Sequence, residues 1–357
     1  MRSSDHLIEA ERVMTICNAC RYCEGHCAVF PAMEKRLAFA EMDLDYLANL
    51  CHNCGSCFHH CQYTDPHEFQ INVPRTFTDL RDETYAEYTF PTFMAVAFRN
   101  NTNWAAFSVI VGFVTLFAMT SNWAGGATAN FYDIIPHNLM VATFGGVGLF
   151  VVFALVASVT KYWKAIGLGS PFALDWSNMG SGIKNALSLK YMGGGTDDGC
   201  TYPTDTPSNA RRIFHHLTFY GFMLCFAATS VGTLYHYGFD WVAPYGFFSL
   251  PKFLGITGGL GLLIGPIGLL WLKRNADLAP QPTSDNGMDR TFLILLFLTS
   301  ATGLVLMFTK GTTYLAPALI VHLGVVLALF MTLPYGKFVH GFYRLVALIK
   351  YASETGD

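Results

Sequence analysis

A chain of 357 residues with 52% hydrophobic and only 13% charged side chains falls well below the charged share of about 25% found in soluble domains. Its net charge of −3, without any basic cluster, excludes a nucleic-acid binder working through phosphate contacts. On a prior of about 100–200 residues per domain the length allows two units, and polarity divides accordingly. Most acids and eight of the ten cysteines lie in residues 1–90, while long apolar runs begin at Trp104.

The opening stretch MRSSDHLIEAERVMTIC has no apolar signal-peptide core, so the head is expected to stay in the cytoplasm with reduced thiols. Cys17, Cys20, Cys23 and Cys27 form C-x2-C-x2-C-x3-C, and Cys51, Cys54, Cys57 and Cys61 repeat it. This is the ligand spacing of a pair of [4Fe-4S] cubanes. Structural zinc would favour separated cysteine pairs instead. In two-cluster ferredoxins the last cysteine of each run serves the other cluster. Applied here, Cys17, Cys20 and Cys23 join Cys61, and Cys51, Cys54 and Cys57 join Cys27. Ala28 and Gln62 stand where such runs usually carry proline. Leu37, Ala40, Leu44, Leu47 and Leu50 predict a helix between the runs. His26, His52, His59, His60 and His67 are expected to support the clusters or face solvent rather than ligate.

Six apolar segments, near 104–121, 137–160, 213–235, 253–272, 291–309 and 317–335, approach the roughly 20 residues needed to cross about 30 Å of hydrocarbon. Trp104, Trp123, Trp241 and Trp271 lie near their ends, as an interfacial belt requires. Gly255, Gly259, Gly261 and Gly265 predict close packing of the fourth segment on a neighbour, and Pro266 predicts a kink. Of 22 basic residues, 20 fall in 1–103, 161–212, 273–290 and 336–357, leaving Lys252 and Lys310. The positive-inside rule then puts head and both termini on the cytoplasmic side of the inner membrane. The loop 161–212 shares that side. It contains Lys190-Tyr191-Met192-Gly193-Gly194-Gly195 and Asp197-Asp198-Gly199-Cys200-Thr201-Tyr202-Pro203. Tyr191, Cys200 and Tyr202 favour a docking or cofactor-covering loop over a plain spacer. The expected fold is mainly α: a two-cluster ferredoxin-like helical domain over 1–90, then a six-helix transmembrane bundle over 91–357.

Ionisable residues near membrane segments suggest function, and here they are His137, His215, His216, His236, His322 and His340. His322 and His340 are 18 residues apart, which returns to one face of a continuous helix after about 27 Å of rise. That geometry requires the helix to persist past Pro334. His215 and His236 lie within about 60° of one face. Antiparallel segments then pair His215 with His340 on the head side and His236 with His322 on the far side. Each pair suits the iron of a b-type haem, and His216 is the alternative to His215. Arg211 and Arg212 suit haem propionates.

Phe214-His215, His322-Leu323 and Pro334-Tyr335-Gly336-Lys337-Phe338-Val339-His340 resemble the di-haem cytochrome b subunit of respiratory nitrate reductase. With the cysteine-rich head and the Gly-Gly-Gly and Asp-Gly-Cys-x-Tyr-Pro stretches, nearly the whole chain resembles the tricarballylate/citrate-utilisation protein B family. That resemblance implies a membrane protein that reoxidises the flavin of a soluble FAD-dependent tricarballylate dehydrogenase and passes electrons through two [4Fe-4S] clusters and haem b to quinone. The nitrate reductase subunit carries a second histidine ten residues after the first. Cys225 occupies that position here, so the outer haem is expected to use His236 or His137. No dinucleotide fingerprint follows a strand–turn–helix pattern, so flavin and substrate chemistry belong to the partner. A tricarboxylate transporter would need fixed positive charge near the midplane, which the segments lack. A membrane redox sensor would need no histidine pairs across the bilayer.

Overall fold

The computed structural model describes residues 4–120, 131–170, 175–193, 199–243, 245–283, 286–309 and 311–356. Trp123, Lys310, Gly194, Gly195, Asp197 and Asp198 lie outside the described residues. Ser4 opens α1 (Asp5–Cys20) by accepting the Leu7 N–H at 3.2 Å, which satisfies a free donor of the first turn. Arg21 ends it in the left-handed region at φ 57°, leaving Cys17 and Cys20 on the last turn. The head continues with α2 (Val29–Glu34), α3 (Glu41–Leu50), α4 (Ser56–His59) and α5 (Val73–Glu87). Leu44, Leu47 and Leu50 are buried on α3 as their spacing predicts, but the helix does not reach back to Leu37, which is fully exposed. The Asp43 carboxylate accepts the Ala40 N–H at 3.2 Å, and this cap fixes the start at Glu41. Met14, Leu47, Phe77 and Leu80 fill the space between α1, α3 and α5, and each such burial contributes about 1.5–3 kcal/mol.

The body follows as α6 (Ala95–Arg99), α7 (Asn101–Met119), α8 (Phe131–Ile134), α9 (His137–Ala165), α10 (Trp176–Leu187), α11 (Ala210–Phe239), α12 (Leu250–Arg274), α13 (Met288–Phe308), α14 (Leu315–Thr332) and α15 (Val339–Thr355). Six helical runs are long and apolar enough to cross a membrane: α7, α9, α11, α12, α13 and the run beginning with α14. Phe150, Val152, Phe153 and Val156 point outward from α9, which suits lipid rather than water. The fold is therefore mainly α, with an apolar bundle that fits a multi-pass membrane protein. On α12, Gly255, Gly261 and Gly265 meet α11, as close packing on a neighbour predicts, whereas Gly259 meets Leu304 of α13. A Cβ on Gly258 would lie 2.7 Å from Gly221 O, and one on Gly261 would lie 2.9 Å from Leu217 O. Pro266 sits inside α12 without ending it.

Two expectations change. The last segment does not persist past Pro334. α14 stops at Thr332, a 3-10 turn covers Leu333–Tyr335, and α15 starts afresh at Val339. Proline lacks the N–H that a continuing helix needs, and Asn101 Nδ2 holds the turn by donating to Tyr335 O at 2.7 Å. His322 and His340 therefore do not share a continuous helix. The loop 161–212, expected as an irregular docking or covering loop, holds a helix. α10 packs on α15, with Gly182 so close to Ile349 that a Cβ would lie 2.8 Å from its Cγ1. Beyond it, β1 (Cys200–Thr201) pairs antiparallel with β2 (Pro207–Ser208).

Head and body are joined along one end of the bundle. Asn72 Nδ2 donates to Ala279 O at 2.7 Å, Arg75 Nε to Gln281 O at 2.9 Å, and Thr283 N–H to Asp79 Oδ1 at 3.1 Å. Arg36 bridges Asp43 and Glu354, both at 2.7 Å. Asp289 takes Lys273 and Lys337 at 2.8 and 2.7 Å, tying the ends of α12 and α13 to the turn before α15. Tyr162 of α9 stacks on Tyr343 of α15 at 4.7 Å, and Tyr85 of the head meets the same ring at 5.5 Å. The segments 161–212, 273–290 and 336–357 thus all gather at the head.

Candidate functional site

The eight clustered cysteines sort into two neighbouring quartets. Cys17 and Cys23 lie in each other's field together with Cys20 and Cys61. Cys27 lies among Cys51, Cys54 and Cys57, and Cys23 lies close enough to both Cys27 and Cys57 for the two groups to share one field. Burial first, and then mutual proximity, pushes the Cys17 and Cys23 thiols up to about 12 and those of Cys27 and Cys57 well above the usual range. Groups crowded this way give up their protons together only to a cation that binds them as thiolates. Backbone N–H groups already point at two sulfurs, Asn53 to Cys51 at 3.4 Å and Tyr63 to Cys61 at 3.3 Å. A small pocket at the first quartet is walled by Ile16, Tyr22, Phe30 and Tyr63.

Among the described residues no group of three His, Cys, Asp or Glu side chains is placed to hold a single metal ion. Four thiols per site, N–H groups aimed at sulfur and an apolar wall fit the cubane.

The second quartet is covered by the 161–212 segment. Cys200 is buried with Cys54, Leu189 and Met192. Its Sγ lies 2.7 Å from Met192 O and within hydrogen-bond reach of Cys54. That neighbour is the first cause that brings the Cys54 thiol down to about 6, while Cys200 itself is held neutral. Gly55 makes the cover possible. It sits at φ +82°, and any Cβ there would run into Thr201 O, with Thr201 Oγ1 at 3.2 Å.

The His215 and His340 rings meet at the head end with centroids 6.1 Å apart and planes at 78°. Two imidazoles on opposite sides of one metal, each bonded at about 2.0–2.1 Å, place their centroids roughly 6 Å apart. His340 Nδ1 is hydrogen-bonded to Lys337 O, the backing that orients a ligating imidazole and leaves Nε2 for the metal. His215 Nδ1 is buried without a partner. These rings fit a bis-imidazole haem. His216 lies beside Tyr220 instead.

Arg211 and Arg212 point at protein acceptors. Arg211 donates to Asn53 O and stacks 4.6 Å over the Tyr202 ring, and Arg212 Nη2 donates to Ser188 O at 3.0 Å. Two arginines that sequence reasoning missed complete the junction. Arg344 donates to Cys51 O and, at 3.3 Å, to Asn49 O. Arg81 Nη1 donates to Cys51 O at 2.6 Å. Arg344 stands one helical turn beyond His340, as Arg211 stands one turn before His215, so the i, i+4 spacing was the available signal.

At the opposite end the partners differ from those expected. His236 packs on His137 at 4.4 Å with planes at 33°, and Tyr132 lies 4.7 Å from His137. Rings that close leave no room for a porphyrin between them. His322 Nδ1 meets Thr302 Oγ1 at 3.1 Å and faces Gly303 on α13. The reason is packing: α11 lies against α12, whereas α14 lies between α7 and α13. The His236–His322 pair as expected does not fit a second haem in this structure. Cys225 also faces α12, with its Sγ against Gly258.

The comparisons with known proteins agree with this division. Residues 10–87 match the family model described as the citrate utilization protein B Fer4-like domain, and residues 105–356 match that of citrate utilization protein B itself. The chain is 47% identical over 351 residues to the Escherichia coli protein named citrate utilization protein B, covering 97% of this chain and 92% of the relative. No solved structure matches. On a family model spanning most of the body and a relative aligned along almost the full length, the chain belongs to the citrate utilization protein B family.

Proposed function

We propose that this chain is the membrane electron-transfer component of a citrate or tricarballylate utilization system. It reoxidises the reduced FAD of a soluble dehydrogenase, with tricarballylate dehydrogenase as the partner, and delivers the electrons to quinone. Flavin hydroquinone and quinone become oxidised flavin and quinol, so two electrons and two protons balance. Held by the two quartets and by His215 and His340, [4Fe-4S] clusters and haem b supply one-electron carriers between these two-electron couples.

One observation carries this reading. The loop from Cys51 to Cys54 is hydrogen-bonded by Arg211 and Arg344, each about 6 Å along its helix from a histidine of the pair. The second quartet and the haem pair are therefore fastened to one another. Cys20 is exposed and gives the first quartet an outer face for the partner, while Cys200 and Thr201 keep water off the second. With the head on the cytoplasmic side, partner, quartets and His215–His340 follow one another toward the membrane. A cleft of about 750 Å³ is walled by Phe214, Leu263, Trp271, Phe297 and Leu304 and is almost wholly apolar. It suits a lipid or isoprenoid chain and gives a quinone ring little to bond.

The test uses the full-length protein in membranes. Its spectrum under dithionite should show a b-type α-band and a broad cluster bleach. The reduced dehydrogenase should reduce a quinone analogue only when this protein is present, and Cys57→Ser should abolish that transfer. Equal flavin turnover in membranes lacking the protein would overturn the proposal.

A further inference from the structure

We propose that Arg81, which is buried, and Arg211 and Arg344, which are half-buried, form a cationic cradle that raises the reduction potential of a cluster at the second quartet above that at the first, making the relay run inward. The inference rests on the iron–sulfur reading of the quartets and adds the direction in which an electron moves between them. Arg81 is 4% exposed and bonds to Cys51 O, Ala48 O and Thr78 Oγ1. Arg344 bonds to Cys51 O and Asn49 O, and Arg211 bonds to Asn53 O. All three thus converge on the backbone that carries Cys51 and Cys54. They also stand close to one another, since Arg344 lies in the fields of both Arg81 and Arg211.

None of the three has a carboxylate within the 4.0 Å of an ion pair among the described residues. Asp82 lies in the field of Arg81 without an ion-pair contact to it, and the other acids nearby serve other cations, Asp289 taking Lys273 and Lys337. Cations held away from water without a paired anion are costly, and among the described residues the cradle has no carboxylate at ion-pair distance. A cubane held by four thiolates is a net anion, and each reduction adds a negative charge. Fixed cations beside it stabilise the reduced form and raise the potential, because net charge, hydrogen bonding and exposure set that potential.

The first quartet has no such cradle. The fields acting on Cys17 and Cys23 come from other cysteines. Arg21, next to Cys20 in the chain, is exposed and hydrogen-bonded to Asn18 O, where water and salt screen it. Burial opposes reduction of an anion at both quartets and more strongly at the second. Three unpaired guanidinium groups in contact with one loop outweigh that difference.

Redox titration of the full-length protein, read by EPR, tests the cradle without any turnover assay. Two cluster midpoints should resolve, and Cys20→Ser should alter the line shape of the lower one. Arg211→Gln and Arg344→Gln should each lower the upper midpoint and leave the lower unchanged, and Arg344→Lys should restore most of the shift. If Arg344→Gln loses iron, Arg211→Gln alone decides, because its guanidinium sits on the surface of the loop against Tyr202. Full iron and sulfide content with both midpoints unmoved would overturn the cradle, as would a shift confined to the cluster marked by Cys20→Ser. A wild-type protein without labile sulfide would instead overturn the iron–sulfur reading itself.

Discussion

Gly55→Ala tests whether the 161–212 segment protects the second quartet. The residue lies between Cys54 and Cys57 at φ +82°, a conformation that costs a residue with a Cβ about 1–2 kcal/mol. The added methyl would also press on Thr201 O, with Thr201 Oγ1 at 3.2 Å and His59 Cδ2 at 3.5 Å. Overpacking of this kind costs about 1–3 kcal/mol, and the backbone carbonyl cannot rotate aside as a side chain could. The strain therefore totals about 2–5 kcal/mol. Lifting β1 relieves only the overpacking, and at its lower figure of about 1 kcal/mol the cover opens roughly fivefold more often, at tenfold per about 1.4 kcal/mol. The assay is the rate of bleaching and iron release from anaerobically prepared protein on exposure to air. Gly25→Ala is the internal control. It lies within the first run, between Cys23 and Cys27, and a Cβ there would meet nothing within 4 Å. Faster iron loss from Gly55→Ala and wild-type behaviour from Gly25→Ala are expected. Equal rates in the two variants would refute the protective role of the segment.

Other substitutions probe the remaining parts. His340→Ala should remove the b-type spectrum while iron and sulfide stay at wild-type content, whereas His322→Ala should leave haem per chain unchanged; pyridine haemochrome and metal analysis read both. Gly258→Leu should destabilise the α11–α12 contact by at least about 1–3 kcal/mol, seen as a lower melting temperature in detergent. Asp82 is pushed up to about 6, chiefly by burial, with Asp289 raising it further and Lys337 and Arg81 opposing. A carboxyl raised in the folded state favours folding below its unfolded value, and that advantage is lost as pH rises from about 4 to about 6. Asp82→Asn should therefore melt higher than wild type at pH 7.5, with a smaller difference at pH 5, and a difference independent of pH would contradict the assignment.

The cysteine spacing and the glycine steps were legible because covalent reach and backbone approach depend on neighbours along the chain. Cys27 stands near Cys51, Cys54 and Cys57, as the repeated run predicts, and Gly261 and Gly265 meet Leu217 and Thr218 of α11. That the head-side histidines meet was legible from the antiparallel order of the segments, although His340 opens a separate helix instead of ending the sixth segment. The far-side pairing was not. It depended on which helices touch, and periodicity fixes the face of a helix without naming its neighbour. His236 accordingly finds His137, and His322 finds Thr302. The arginine contacts to Cys51 O and Asn53 O were hidden as well, since a backbone carbonyl carries no signature in the residue type that owns it. α10 was lost inside a segment read as irregular, because its helical pattern is only twelve residues long and is flanked by glycine-rich stretches.

The junction between head and body has a physical consequence for any relay built on it. A cluster domain on a flexible tether would sample many distances from the membrane, and transfer would be limited by its return. Here the head has no such freedom. Asn72, Arg75, Asp79 and Asp82 bond the loop between α12 and α13, Glu354 at the end of α15 closes on Arg36, and Tyr343 lies between Tyr85 and Tyr162. These contacts come from three separate segments, so loss of any one leaves the others to hold the register. The same polar bonds, spread around the rim, leave the centre to Cys51, Arg344 and His340. There the path from quartet to histidine is one arginine long, because Arg344, one turn from His340, bonds directly to Cys51 O.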